Sequence, residues 1–317
     1  MNKKCLYCYK ELDTEGDFHP SCSIQFFGST EPPTLNYTLL EMAELAKEVV
    51  ENSVTVPGVQ PKLSLGYIKD VLKDGNKGRL TVVGALGGNY ILKPQNETYP
   101  QMPENEHLTM RMAELCGISV VPSTLLRLKS GELSYLTKRI DRTETGEKIH
   151  MLDMFQILEA YDKYRSSVEK VGKAVAEHSS NTLLDLLRLF EVALFSYITG
   201  NNDMHLKNFS LILINDNWTL APAYDLLNVN LHIPEDTEEM ALTVGGKKRK
   251  LTKADFINFG LSFQLTEKQI LNTFNRFIKA EKRIKKEIKS SFLSLENQMK
   301  YIELLEARLN LLTTGAY

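Results

Sequence analysis

The periodicity of apolar residues changes near residue 150 of this 317-residue chain, and that change limits the fold more than any other feature. Before it, residues 53–142 alternate as strands do. Leu63, Leu65 and Tyr67 mark one strand. Residues 79–83 mark a second, entered through Asn76-Lys77-Gly78, and Tyr90 to Lys93 a third after the turn Gly87-Gly88-Asn89. Residues 104–117 predict a helix closed by Gly117, and residues 134–139 return to strand. After residue 150 helical spacing dominates. Leu183, Leu184, Leu186, Leu187, Leu189, Phe190, Val192, Ala193, Leu194 and Phe195 are apolar nearly all round, which predicts a buried central helix. Helical periodicity resumes over residues 267–312. The pattern is α+β: a small β-rich N-lobe followed by a larger helical C-lobe.

Composition permits this and removes alternatives. With 43% hydrophobic residues the chain can bury one large core or two moderate ones. A net charge of −2 gives no global basic field for nucleic acid. No apolar run approaches a membrane span, and Met1-Asn2-Lys3-Lys4-Cys5 lacks the apolar core of a signal peptide. Four cysteines without a secretion signal place the chain in a reducing cytoplasm. Four segments are expected: residues 1–30, rich in Cys and aromatics; 31–52, a linker with a short helix over 36–52; 53–142, the N-lobe; and 143–317, the C-lobe. The charged run at 279–289 reads as a solvated helix face.

Chemistry concentrates in Gly200-Asn201-Asn202-Asp203-Met204-His205-Leu206-Lys207-Asn208. The spacing D-x-x-x-x-N is used by phosphotransferases, where the Asp accepts the proton of the attacking hydroxyl and the Asn ligates a metal. Asp and Asn are also ordinary turn residues, so order matters more than the motif alone. Here an apolar run at 209–214, a second short apolar segment and then Ala223-Tyr224-Asp225 follow, and Asp225 supplies the second carboxylate that such a metal centre needs. Upstream, Lys93 ends a strand, as does the phosphate-contacting Lys of a kinase small lobe. Glu106 on the next helix is its expected partner, with Glu104 competing. Gly58, Val59, Gln60 and Lys62 stand where a phosphate-cradling loop belongs, although only one glycine is present. Nucleotide would then sit in the cleft between the lobes.

These residues together resemble the HipA family of bacterial serine/threonine kinases, the toxins of HipBA-type toxin–antitoxin systems. The resemblance rests on the loop at 58–64, Ile91-Leu92-Lys93-Pro94, Asn105-Glu106, residues 137–142, the loop at 200–208 and residues 220–226. It implies a bilobal protein-kinase-like fold, ATP and Mg²⁺. By position, Asp203 would be the catalytic base, Asn208 and Asp225 the Mg²⁺ ligands, and Lys93 a phosphate contact near His205 and Lys207. Lys138, Arg139 and Ile140 would be the hinge where backbone groups meet adenine. Inhibitory autophosphorylation would fall on Thr55, with Ser53 as a fallback. The chain resembles the shorter, split members, in which a small N-terminal subdomain is a separate protein. That subdomain-like protein and a HipB-like antitoxin are the expected partners, with DNA met only through a partner. The acceptor would be a protein, such as an aminoacyl-tRNA synthetase or another translation component.

Cys5-x2-Cys8-x10-His19-x2-Cys22 has the ligand types and paired spacing of a structural Cys3His zinc site, hence a small zinc-knuckle-like segment. The alternative is a set of unligated, partly buried cysteines; Cys116 reads as a core residue. Two other functions compete with the kinase. One is a non-catalytic pseudokinase that binds an antitoxin or repressor. The other is a metal hydrolase built on Asp203, His205 and Asp225, which leaves Lys93 and its preceding loop without a role.

Overall fold

A computed structural model describes residues 3–13, 15–51, 62–69, 78–82 and 88–314. The chain divides into two compact units. The first holds residues 1–107, 121–148 and 290–292, and the second holds 108–120, 149–289 and 293–317.

The first unit carries helices α1 (Pro20–Phe27) and α2 (Leu39–Glu51), strands β1 (Leu63–Lys69), β2 (Gly78–Val82) and β3 (Tyr90–Lys93), the start of α3 (Met102–Leu115), then β4 (Ser123–Arg127) and β5 (Leu133–Lys138). The strands form one sheet in the order β2-β1-β3-β5-β4, with every pairing antiparallel. Leu63, Leu65, Leu80, Leu92, Leu125 and Leu136 are buried. The register sets Lys93 opposite Tyr135. At β2 an outlying segment joins in: Thr34 N–H donates to Gly78 O at 3.0 Å, and Leu80 N–H donates to Thr34 O at 2.9 Å. The short helix α1 begins with Pro20 at its first position and ends at Gly28 in the left-handed conformation, so its ends are well marked although its periodicity is not.

The second unit contains β6 (Met151–Asp153), α4 (Met154–Ile157), α5 (Val168–His178), α6 (Thr182–Thr199), β7 (Ser210–Ile214), β8 (Asn217–Leu220), α7 (Lys253–Ser262), α8 (Glu267–Ser290) and α9 (Leu295–Thr314). Strands β6, β7 and β8 make a small antiparallel sheet. Helix α6 is central and its residues 189–199 are all buried. Phe190 packs against Phe259 and Phe274, Phe195 against Phe277, and Tyr197 against Phe256. Its first turn departs from the expected all-round burial, because Leu183 and Leu184 are 62% and 48% exposed. Only the flank carrying Asp185 and Leu186 is covered there. The fully buried Asp185 carboxylate accepts from Leu220 N–H at 2.7 Å, Ser179 Oγ at 2.7 Å and Thr219 Oγ1 at 3.0 Å, which ties α6 to β8.

Candidate functional site

Helix α6 ends because Gly200 turns left-handed at φ 71°, accepting the reversal that a side chain would resist. Space imposes the same residue. A Cβ at Gly200 would lie 2.5 Å from Leu304 Cδ2 and 2.7 Å from Asn230 Oδ1. The chain therefore leaves the core directly into the loop that carries Asp203.

That loop is held by its own hydrogen bonds. His205 N–H donates to Asp203 O at 2.8 Å, Asn208 Nδ2 to the same carbonyl at 3.1 Å, and Asn208 N–H to His205 O at 2.9 Å. Asn202 Nδ2 anchors the loop to Asp236 at 2.7 Å. The Asp203 carboxylate accepts the Tyr164 hydroxyl at 2.7 Å, and the Tyr164 ring stands edge-on to His205, centroids 5.1 Å apart. Burial, reinforced by the Asp203 and Asp162 charges, pushes the Tyr164 hydroxyl well above its ordinary range, so it remains a proton donor.

His205 is buried. That burial holds its imidazole below the ordinary histidine range, against the pull of the Asp203 and Asp225 carboxylates. The buried His205 Nδ1 finds no hydrogen-bond partner among the described residues. Asp225 sits in the left-handed region at φ 59°, an uncommon conformation for a non-glycine residue. The Tyr224 hydroxyl beside it donates to Lys207 O at 2.9 Å and accepts from Ser210 Oγ at 2.5 Å. Ala221 and Ala223 pair with Ser210 O and Ser119 O, fixing the segment that presents Asp225. Lys207 is exposed, its ammonium 4.8 Å from the Phe155 ring centroid. Asp203, Asn208 and Asp225 carry oxygen donors of the type that hard divalent cations take.

In the first unit, Lys93 Nζ donates to Glu106 Oε1 at 2.6 Å, with the residues 4% and 1% exposed. Tyr135, opposite in register, offers its ring face to the ammonium at 5.5 Å. Glu104 takes a different partner, Gln95 Nε2 at 2.7 Å, and burial raises its carboxyl. Lys62 is exposed just before β1. Lys138 lies over the Phe26 ring at 5.4 Å, and burial lowers its ammonium. The backbone amides of Lys138 and Arg139 are engaged with Pro122 O and Asn89 O at 3.0 and 2.8 Å. The Arg139 guanidinium grips Asp141 at 2.7 and 2.9 Å, and Ile140 is half-buried. Thr55, Gly58, Val59 and Gln60, with the fallback Ser53, lie outside the described residues.

The donor atoms of Cys5, Cys8, His19 and Cys22 all lie within 4.8 Å of one another, a cluster that could hold a metal ion. Cys8 Sγ and Cys22 Sγ are 3.4 and 3.7 Å from His19 Nδ1. Tetrahedral zinc, with Zn–S near 2.3 Å and Zn–N near 2.05 Å, sets that edge at about 3.5 Å. His19 Nε2 donates to Glu11 O at 2.9 Å. A carbonyl can only accept, so the Nδ1 lone pair is left for the cluster, the usual outer-shell arrangement of a metal-bound histidine. Cys116 is buried apart from these, and burial pushes its thiol up to about 12.

The profile of the HipA-like C-terminal domain matches residues 54–284. The chain belongs to the HipA-like C-terminal domain family. This HipA-like chain is 32% identical over 194 residues to a Haemophilus influenzae protein named "putative kinase", covering 57% of the chain and 54% of that protein. It is 28% identical over 208 residues to the serine/threonine-protein kinase toxin HipA of Shewanella oneidensis, covering 59% and 45%. The chain thus spans about half the length of these curated relatives. Among solved structures, the Shewanella oneidensis HipA of a HipA, HipB and operator DNA complex matches with a TM-score of 0.67 at 20% identity, covering 86% of this chain and 73% of that one. The Helicobacter pylori proinflammatory kinase CtkA matches with a TM-score of 0.52 at 15% identity, over 70% and 86%. The fold is the α+β kinase-like fold of these proteins.

The cysteine cluster lies before the residues matched to the HipA-like domain. Sequence reasoning missed Tyr164, which sits 39 positions before Asp203 with no spacing rule to connect them. It also missed Asp185 as a buried anchor, where a lone Asp inside an apolar helix was the available signal. No described helix is long and apolar enough to cross a membrane.

Proposed function

We propose that this HipA-like chain is a serine/threonine protein kinase that transfers the γ-phosphoryl group of ATP to a protein hydroxyl. Asp203 orients the acceptor hydroxyl and takes its proton. The acceptor oxygen forms the new P–O bond in line as the bond to the ADP oxygen breaks. Asn208 and Asp225 would hold Mg²⁺, which supplies charge neutralisation at the phosphates. Lys93, kept in place by Glu106, meets the nucleotide phosphates; His205 and Lys207 flank the transferring group. Gly58, Val59, Gln60 and Lys62 would cover the phosphates, and Lys138, Arg139 and Ile140 would form the hinge toward adenine.

The observation that carries this reading is the state of Asp203. Its carboxylate receives a hydroxyl proton donor, Tyr164, at 2.7 Å. A carboxylate that accepts one hydroxyl in this loop is placed to accept another.

The Shewanella relative, a kinase toxin, supports a toxin role, and the HipA structure in complex with HipB and operator DNA supports a HipB-like antitoxin as partner; the cytoplasm is the proposed location. DNA would be met through that partner. A separate small N-terminal-subdomain-like protein is a second proposed partner, and an aminoacyl-tRNA synthetase or other translation component the proposed acceptor. Cys5, Cys8, His19 and Cys22 are proposed to hold a structural Zn²⁺.

Intact mass and peptide mapping of wild type and Asp203→Asn after incubation with Mg·ATP test the kinase. Phosphate on the wild type alone, mapped to Thr55, is expected. Phosphate elsewhere keeps the kinase and removes Thr55 as its site. No phosphate on either protein, together with no Mg·ATP binding, leaves a non-catalytic binding module.

A further inference from the structure

The cysteine knuckle reaches the Lys93–Glu106 pair through one buried side chain. Tyr9 follows Cys8 in the left-handed conformation, φ 63°, with its amide bonded to Cys5 O at 2.9 Å. A tyrosine resists that conformation. Here the turn that brings the two thiols together imposes it, and the ring is directed inward. The Tyr9 hydroxyl lies 2.9 Å from His107 Nδ1, and its ring stands edge-on to His107 and to Phe292 at 5.3 and 5.4 Å. His107 is fully buried on α3 and is the residue after Glu106. Successive helical side chains leave the axis about 100° apart. Tyr9 therefore clamps the same turn from which Glu106 reaches Lys93.

The rest of the knuckle is fixed to this unit as well. Leu6 N–H bonds to Asp17 O at 2.8 Å, and Asp17 takes the Arg127 guanidinium at 3.0 Å. Leu125 N–H on β4 donates to Leu6 O at 3.4 Å. Lys4 Nζ donates to Ser290 O and Ser291 O, both at 2.8 Å.

We propose that the metal-bound Cys3His knuckle is a brace for the Lys93–Glu106 pair, with Tyr9 as the positioning residue. The metal fixes the backbone at Tyr9; Tyr9 fixes His107 and its turn of α3; that turn holds Glu106 against Lys93. The consequence for nucleotide binding rests on the kinase reading, but the brace itself does not. Its ligand is a single divalent cation of zinc's chemistry, and its effect is on affinity for Mg·ATP.

The test uses the full chain with zinc content, hydrogen exchange and Mg·ATP affinity measured on the same preparations. Wild type is expected to hold one zinc per chain. Tyr9→Phe should keep that zinc, yet amide exchange over residues 104–109 should speed up about five- to tenfold, the loss of one buried hydrogen bond. Its affinity for Mg·ATP should fall by a similar factor. Chelating the zinc from wild type should reproduce both changes, and chelating it from Tyr9→Phe should add little to exchange in that segment. Unchanged exchange in Tyr9→Phe, or a purified protein without bound metal, overturns the brace. Lys93→Met separates the two readings. If exchange responds as expected but neither Tyr9→Phe nor Lys93→Met alters Mg·ATP affinity, the brace stands and the nucleotide role of Lys93 fails.

Discussion

Replacing Lys93 by Met should be among the most damaging changes in the first unit, and the damage should depend on pH. The ammonium and the Glu106 carboxylate meet at 2.6 Å with both residues essentially out of water. Breaking such a pair leaves a buried charge uncompensated and costs roughly 3–5 kcal/mol. Losing the ammonium over the Tyr135 ring, 5.5 Å away, adds up to about 1 kcal/mol. Against a whole stability of about 5–15 kcal/mol this is severe. The variant has one escape: Glu106 can take up a proton. Its folded pKa then rises above the unfolded value of about 4.3, so the folded state binds more protons than the unfolded one. The sign follows. The variant loses stability as pH rises through that raised pKa, and its deficit against wild type should be greater at pH 8 than at pH 5. The double variant Lys93→Met/Glu106→Gln removes both charges and should recover most of the loss. Urea midpoints followed by circular dichroism at both pH values measure this. A single variant within about 1 kcal/mol of wild type, or a double variant no better than the single, would refute the reasoning.

Three further outcomes are expected. Gly200→Ala must adopt φ 71° and place its Cβ 2.5 Å from Leu304 Cδ2, so it should lower the melting temperature by several degrees, for a cost of about 2 kcal/mol or more. Tyr164→Phe, which removes the hydroxyl given to Asp203, should slow phosphoryl transfer about fivefold while leaving Mg·ATP affinity unchanged; an unaltered rate would discount that contact. Burial holds His232 below its ordinary range, so the unfolded chain binds its proton first and stability should decline as pH falls below about 6.5; His232→Asn should make that decline shallower in urea titrations at stepped pH.

The strands were legible where apolar and polar residues alternate along the chain, as at Leu63, Ser64 and Leu65, although Ser64 is buried as well. Strand β4 was not, because Leu125 and Leu126 are adjacent apolar residues, both buried, and the sequence shows no alternation there. Helix α1 spans only 8 residues, too few to establish a period, and is delimited by Pro20 and Gly28 instead. The first turn of α6 shows the reverse error: apolar content predicts burial only if something lies against each side, and Leu183 and Leu184 have no such cover. At the site, residue order suggests the chemistry of the loop at 200–208, but it cannot choose between Glu104 and Glu106, which lie two positions apart near the start of α3 and are both buried. Gln95 makes the choice physical by taking Glu104. Tyr164 and Tyr9 act across the fold, and no local rule links a tyrosine to a carboxylate or an imidazole far along the chain.

Both outer strands of the five-stranded sheet are met by the same N-terminal stretch, at Thr34 beside β2 and at Leu6 beside β4. An uncovered strand rim is a template for other chains. The segment therefore guards solubility as well as order. Loosening that stretch would leave both rims open to pairing with a strand of another chain, so its packing bears on self-association and not only on the stability of one molecule.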